Sequence, residues 1–78
     1  MKVTLADLKT LVSLQLGQSP IDETAQFVEE LGAESADILN IVLAAEDKYD
    51  ISIAENEMSE IRSTLNLYDL VKRLKGEG

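Results

Sequence analysis

Seventy-eight residues without a cysteine or a histidine exclude disulfides, thiolate nucleophiles, imidazole bases and nearly every transition-metal site, so unaided catalysis is not expected. The length predicts one domain, residues 1–78, burying only about 60% of its unfolded surface. With aromatics limited to Phe27, Tyr49 and Tyr68, Leu, Ile and Val must fill its core. A formal charge of −8, concentrated between Asp22 and Glu60 where Lys48 is the only base, argues against nucleic acid and anionic membrane as partners and steers basic protein surfaces toward the chain.

The same acids would also serve as a plain solvated face that keeps a small domain in solution. No apolar run of about 18 residues, signal peptide or lipidation signal is recognisable. The expectation is a soluble, cytoplasmic, monomeric protein with no membrane insertion.

A first helix is predicted from Thr4, with Asp7 three residues after the cap in a box-like arrangement. Leu5, Leu8, Val12 and Leu16 form its apolar stripe, Leu11 lies on the flank, and Gly17 is the stop. From Gln18 to Glu34 no long periodic helix is legible, and connections beyond about 12 to 15 residues tend to be functional or to hold structure of their own. Ser19-Pro20-Ile21-Asp22 could start a helical turn with Pro at its first position. Ile21, Phe27 and Leu31 are the expected pins that hold this segment to the bundle.

The second helix is predicted over Ser35 to Tyr49. Ile38, Ile41, Val42, Ala45 and Tyr49 fall within about 100° of one another and should be buried. Opposite them lie Ala36, Asn40, Leu43 and Asp47, bordered by Leu39 and Glu46 on one side and Asp37 on the other. Small and apolar groups set among acids on an exposed face suit a docking surface. Residues Glu55 to Ile61 can form a short third helix with Met58 and Ile61 directed inward. A fourth helix is expected with Asn66 as N-cap, Asp69 at N3, a stripe of Leu67, Leu70, Val71 and Leu74, and a stop at Gly76. Three long helices and one short one predict an all-α bundle.

Two conventional sites fail on residue chemistry. The acids from Asp47 to Glu57 do not make an EF-hand, because Tyr49 and Ile51 occupy ligand positions and no glycine supplies the sharp turn. Glu29 and Glu30 are adjacent and imply no concave site for a hydrolase dyad. No metal site is expected beyond loose Mg²⁺ or Ca²⁺ association with Glu34, Asp37 and their neighbours.

The remaining candidate is Ser35, delivered by Leu31-Gly32-Ala33-Glu34 to the start of the second helix. A serine there can cap the helix with its side-chain oxygen. The same position favours an anion, so a phosphate ester on Ser35 would sit at the favourable end of the macrodipole.

Phe27-Val28-Glu29-Glu30-Leu31-Gly32-Ala33-Glu34-Ser35 resembles the segment that precedes the modified serine of the acyl carrier protein family. Glu46-Asp47-Lys48-Tyr49-Asp50-Ile51-Ser52-Ile53 is similar to the end of that family's second helix, Gln15-Leu16-Gly17 to the end of its first, and Asn66 to Leu74 to its last. The resemblance covers nearly the whole chain. It implies a four-helix acyl-carrier-like bundle with a short third helix and a long loop between the first two helices. It implies a transferase that attaches 4′-phosphopantetheine from coenzyme A to Ser35, giving a chain without cysteine a borrowed thiol for acyl thioesters, and no catalytic residue of its own.

By the same resemblance, Glu34, Ala36, Asp37, Asn40, Leu43, Glu46 and Asp47 would meet basic patches on a phosphopantetheinyl transferase, an acyl-loading ligase or synthase and acyl-transferring enzymes. Phe27, Val28, Ile41, Ala45, Ile53, Met58 and Ile61 would edge an acyl pocket, with Ala45 leaving room at its floor. The chain departs from the family where Glu34-Ser35-Ala36 replaces Asp-Ser-Leu, where Asn40 replaces an acid, at Lys48, and in the residues that Arg62 to Leu65 add between the last two helices. The resemblance implies a carrier of acyl intermediates in fatty-acid or related lipid or polyketide biosynthesis, and these departures predict a specialised rather than a housekeeping member. The alternatives are an aminoacyl or D-alanyl carrier and an unmodified acidic interaction module.

Overall fold

Thr4 is extended and its hydroxyl accepts the Asp7 N–H at 3.2 Å, so α1 (Leu5–Leu16) begins at the predicted cap. It ends at Gly17, whose φ of 65° lies in the left-handed region and whose N–H reaches the Ser13 carbonyl at 2.8 Å. Leu8, Leu11 and Val12 are buried and Leu16 is half-buried. The computed structural model describes residues 2–77.

The connection that follows forms no helical turn at Ser19-Pro20, contrary to expectation. Asp22 instead accepts both the N–H and the hydroxyl of Thr24, at 2.9 and 2.8 Å, and this local turn competes with a helical start. Those two bonds, the backbone one first, hold the Asp22 carboxyl below its ordinary value of 3.8. Ile21 and Phe27 are buried and Leu31 packs half-buried against the core, as expected of the pins.

A backbone seam fixes this segment to the other side of the bundle. Phe27 donates to the Arg62 carbonyl at 2.8 Å, Leu65 donates to the Glu23 carbonyl at 2.9 Å, and Gln26 and Ser63 form an isolated antiparallel bridge.

Helix α2 spans Ser35–Tyr49 as predicted, and it ends at Asp50, held at a φ of 52° with its N–H on the Glu46 carbonyl. Ile41, Val42, Ala45 and Tyr49 are buried and Ile38 is half-buried, so the predicted face points inward. α3 is a single turn, Glu55–Met58, opened by the Glu57 carboxylate accepting the Ala54 N–H at 3.0 Å. Met58 is half-buried and Ile61 is buried.

Helix α4 spans Thr64–Leu74, which corrects two expectations. Its cap is Ser63, whose hydroxyl accepts the Asn66 N–H at 3.2 Å, while Asn66 sits inside the helix and accepts the Arg62 N–H at 3.1 Å. Thr64 and Leu65 therefore belong to the helix rather than to a lengthened connection. Leu67, Leu70 and Val71 are buried, whereas Leu74 is 37% exposed and leaves the stripe.

The result is an all-helical bundle, without a strand among the described residues, in which α1 packs against both α2 and α4. Each fully buried Leu, Ile or Phe contributes roughly 2 kcal/mol. Two hydroxyls in this core, on Tyr49 and Thr64, have no hydrogen-bond partner among the described residues. Burial first, and then the charges of Asp7 and Glu77, push the Tyr49 phenol above its ordinary value of 10.0. Glu77 takes the Val3 N–H at 3.0 Å, tying the residues after α4 to those before α1, and the Lys75 ammonium reaches the Tyr49 carbonyl at the end of α2 at 3.1 Å.

Candidate functional site

Ser35 owes its position to a hook in the chain before it. The Gln26 carbonyl accepts the N–H groups of Glu30 and Leu31 at 2.9 and 3.1 Å, and the Gln18 side chain donates to the Leu31 carbonyl at 2.7 Å. Gly32 then turns the chain at a φ of 70°. A methyl group at that α-carbon would meet open space, so the backbone angle and not crowding demands glycine. Ala33, buried, donates to the carbonyl of the fully buried Phe27 at 2.8 Å. The core thus holds the residue two positions before the serine.

Glu34 is the N-cap of α2, so Ser35 occupies the first helical position, and the expectation that its hydroxyl caps the helix is corrected. Asp37 makes the closing contact, accepting the Glu34 N–H at 2.9 Å. Ser35 is exposed, and among the described residues its hydroxyl makes no hydrogen bond. It has no neighbouring imidazole or thiol in this chain to activate it. No group of three or more potential metal-ligating side chains occurs among the described residues. The geometry suits a hydroxyl that an outside enzyme modifies, at a helix end where an attached phosphate is electrostatically favoured.

The predicted docking residues share one surface in part. Glu34, Ala36, Asn40, Leu43 and Asp47 are exposed, with Leu43 at 51% and neighbouring Leu39 at 46%. Asp37 and Glu46 are half-buried, and both are engaged inside the protein: Asp37 with Glu34, and Glu46 through its Oε2, which accepts the Ile53 N–H at 2.8 Å.

The predicted pocket residues divide similarly. Phe27, Val28 and Ile61 line an open cleft of about 340 Å³ together with Glu29, Ile38, Ser59 and Arg62. Ile41, Ala45 and Ile53 are packed into the closed core, and Met58 is half-buried outside the cleft lining. Sequence reasoning does not place Glu29, Ile38, Ser59 or Arg62 here. Ile38 carries one usable signal, its spacing of three from Ser35, and Glu29 another, its place beside Val28, whereas Ser59 and Arg62 are brought near by the seam between residues 23–27 and 62–65.

A family model described as "Phosphopantetheine attachment site" matches residues 6–71. The chain is similar to the acyl carrier protein of Chlamydia felis, 30% identical over 73 residues that cover 91% of this chain and 94% of that protein. It is also similar to the acyl carrier protein of a Sulfurovum species, 42% identical over 57 residues covering 70% and 76%. Among solved structures it resembles the acyl carrier protein of Thermotoga maritima, with a TM-score of 0.77 at 31% identity over 94% of this chain and 87% of that one. It shares its fold with the holo acyl carrier protein of Geobacter metallireducens, with a TM-score of 0.80 at 19% identity over 96% and 88%.

Proposed function

The chain belongs to the acyl carrier protein family, and we propose that Ser35 is the residue that bears its phosphopantetheine arm. As a family member it is a carrier rather than an enzyme, and it carries a covalent 4′-phosphopantetheine, whose terminal thiol holds acyl groups as thioesters. Synthases and transferases work on that cargo. The further reading is that residues 1–78 act as one carrier domain for acyl intermediates of fatty-acid, related lipid or polyketide biosynthesis.

One observation carries the assignment of Ser35. It is an exposed hydroxyl at the first position of α2, inside the matched segment, with its backbone fixed by Ala33 and Asp37 and its side chain uncommitted. The residues suit the arm: a phosphodiester formed on the hydroxyl oxygen would lie at the positive end of a helix of 15 residues. Around it, Ala36, Asn40, Leu43 and Asp47 make the surface that basic partners approach, and the cleft floored by Phe27 and Ile61 receives cargo folded back from the arm.

The test is intact-mass spectrometry after incubation with coenzyme A and a broad-specificity phosphopantetheinyl transferase. The wild-type chain should gain one phosphopantetheinyl group and Ser35→Ala none. A modification mapped to another residue, or no gain in mass, overturns the assignment.

A further inference from the structure

The cleft beside α2 has an apolar floor and a polar mouth. Phe27 and Ile61 are buried at its base, Val28 stands 57% exposed at its side, and Ile38 reaches it from α2. Ile38 lies three residues after Ser35, so both occupy one helix face about 4.5 Å apart along the axis. Ile38 thereby brings the helix face that carries Ser35 to the edge of the cleft.

The polar lining groups are Glu29, Ser59 and Arg62. Ser59 already donates its hydroxyl proton to the Asn56 carbonyl at 2.8 Å. Arg62 has a backbone held on both sides, its carbonyl accepting from Phe27 at 2.8 Å and its N–H donating to Asn66 at 3.1 Å. Its side chain is exposed, and among the described residues its guanidinium forms neither an ion pair nor a hydrogen bond. The ion pairs that do form join Lys9 to Glu23 and Arg73 to Glu57. An uncommitted fork of donors beside an apolar floor suits an acceptor oxygen carried on a hydrocarbon. Glu29 lines the same cleft, so a cargo carboxylate there is opposed by Glu29 as well as drawn by Arg62, whereas an uncharged keto oxygen avoids that repulsion.

We propose that the cleft selects acyl groups bearing an acceptor oxygen, a carboxylate or keto group a few carbons from the thioester, and that Arg62 is the residue that reads it. The proposal rests on Ser35 being the tether.

The experiment loads the full chain from hexanoyl-, 3-oxohexanoyl- and glutaryl-coenzyme A through the transferase, verifies each product by mass, and measures thermal melting beside the unloaded and arm-only forms. In the wild-type chain the two oxygenated forms should melt higher than the hexanoyl form by roughly 4 °C or more. Arg62→Met, which keeps the stem and removes the donors, should erase that difference without moving the melting of the unloaded chain. Arg62→Lys should restore part of it for the glutaryl form. Equal melting of all loaded wild-type forms, or a difference that survives Arg62→Met, overturns the proposal. If Arg62→Met lowers the arm-only and every loaded form equally, the guanidinium holds the arm's phosphodiester and cargo selection is likewise overturned. A chain that gains no mass at Ser35 overturns the tether and this proposal with it.

Discussion

The Glu46 carboxylate accepts the Ile53 N–H at 2.8 Å, across the turn at Asp50 that ends α2. One oxygen of an acid on α2 thereby secures the loop that leads to α3. Ile53 is only 8% exposed, so its N–H would lack a good replacement partner if that oxygen were removed.

Glu46→Ala should therefore destabilise the fold by about 1–2 kcal/mol, and Glu46→Gln, which retains an acceptor oxygen, by less. Urea denaturation of the two variants measures the difference; equal losses would mean that charge and not the hydrogen bond matters. Glu46→Lys would confound any change in partner binding with loss of this bond. Asp47→Lys, at an exposed position, is the cleaner reversal and should weaken a basic partner while leaving the melting temperature nearly unchanged.

Tyr49 makes a prediction in the opposite direction. Its hydroxyl is buried without a partner among the described residues, so Tyr49→Phe should stabilise the neutral-pH protein by roughly 1 kcal/mol. The phenol is raised in the folded state, which means the unfolded chain gives up this proton at lower pH. Its contribution to stability is intact below the ordinary value of 10.0 and is lost as pH rises through the higher folded value. Stability measured across the alkaline range should fall in the wild-type chain and fall less steeply in the Phe variant.

The cap of α4 can be assigned by substitution. Ser63→Ala removes the acceptor for the Asn66 N–H and should cost about 1 kcal/mol. Asn66→Ala removes an acceptor for the exposed Arg62 N–H, which water can replace, and should cost a few tenths of that. The reverse order in chemical denaturation would return the cap to Asn66.

Self-repulsion sets the response to salt. With a formal charge of −8, raising ionic strength from about 0.01 M to 0.15 M shortens the screening length from about 30 Å to 8 Å. The melting temperature should rise by several degrees over that interval, in sodium chloride as well as in a magnesium salt at matched ionic strength. A response to magnesium alone would point to site binding rather than to screening.

The two long N-terminal helices are legible in the sequence because their ends carry local signals, Thr4 with Asp7 and then Gly17 for α1, and the acidic lead-in to an uninterrupted apolar face for α2. The start of α4 is not, since Asn66 followed by Asp69 imitates a capping box, while Ser63 and Thr64 are buried through a bridge to Gln26, 37 positions earlier in the chain by their numbering. No local period encodes such a contact. At the site, Ser35 is visible both as a helix-start residue and through family resemblance. Arg62 is invisible for the reason that hides Ser63: its neighbour in space is Phe27.

The clasp between Glu77 and Val3 joins positions 74 apart in the chain. An affinity tag spliced on directly after Lys75 would therefore be felt at the opposite terminus, by freeing the segment that leads into Thr4 and removing a negative neighbour of the buried phenol. Labels and fusion partners for this protein belong beyond residue 77, joined by a spacer long enough to leave that carboxylate where it is.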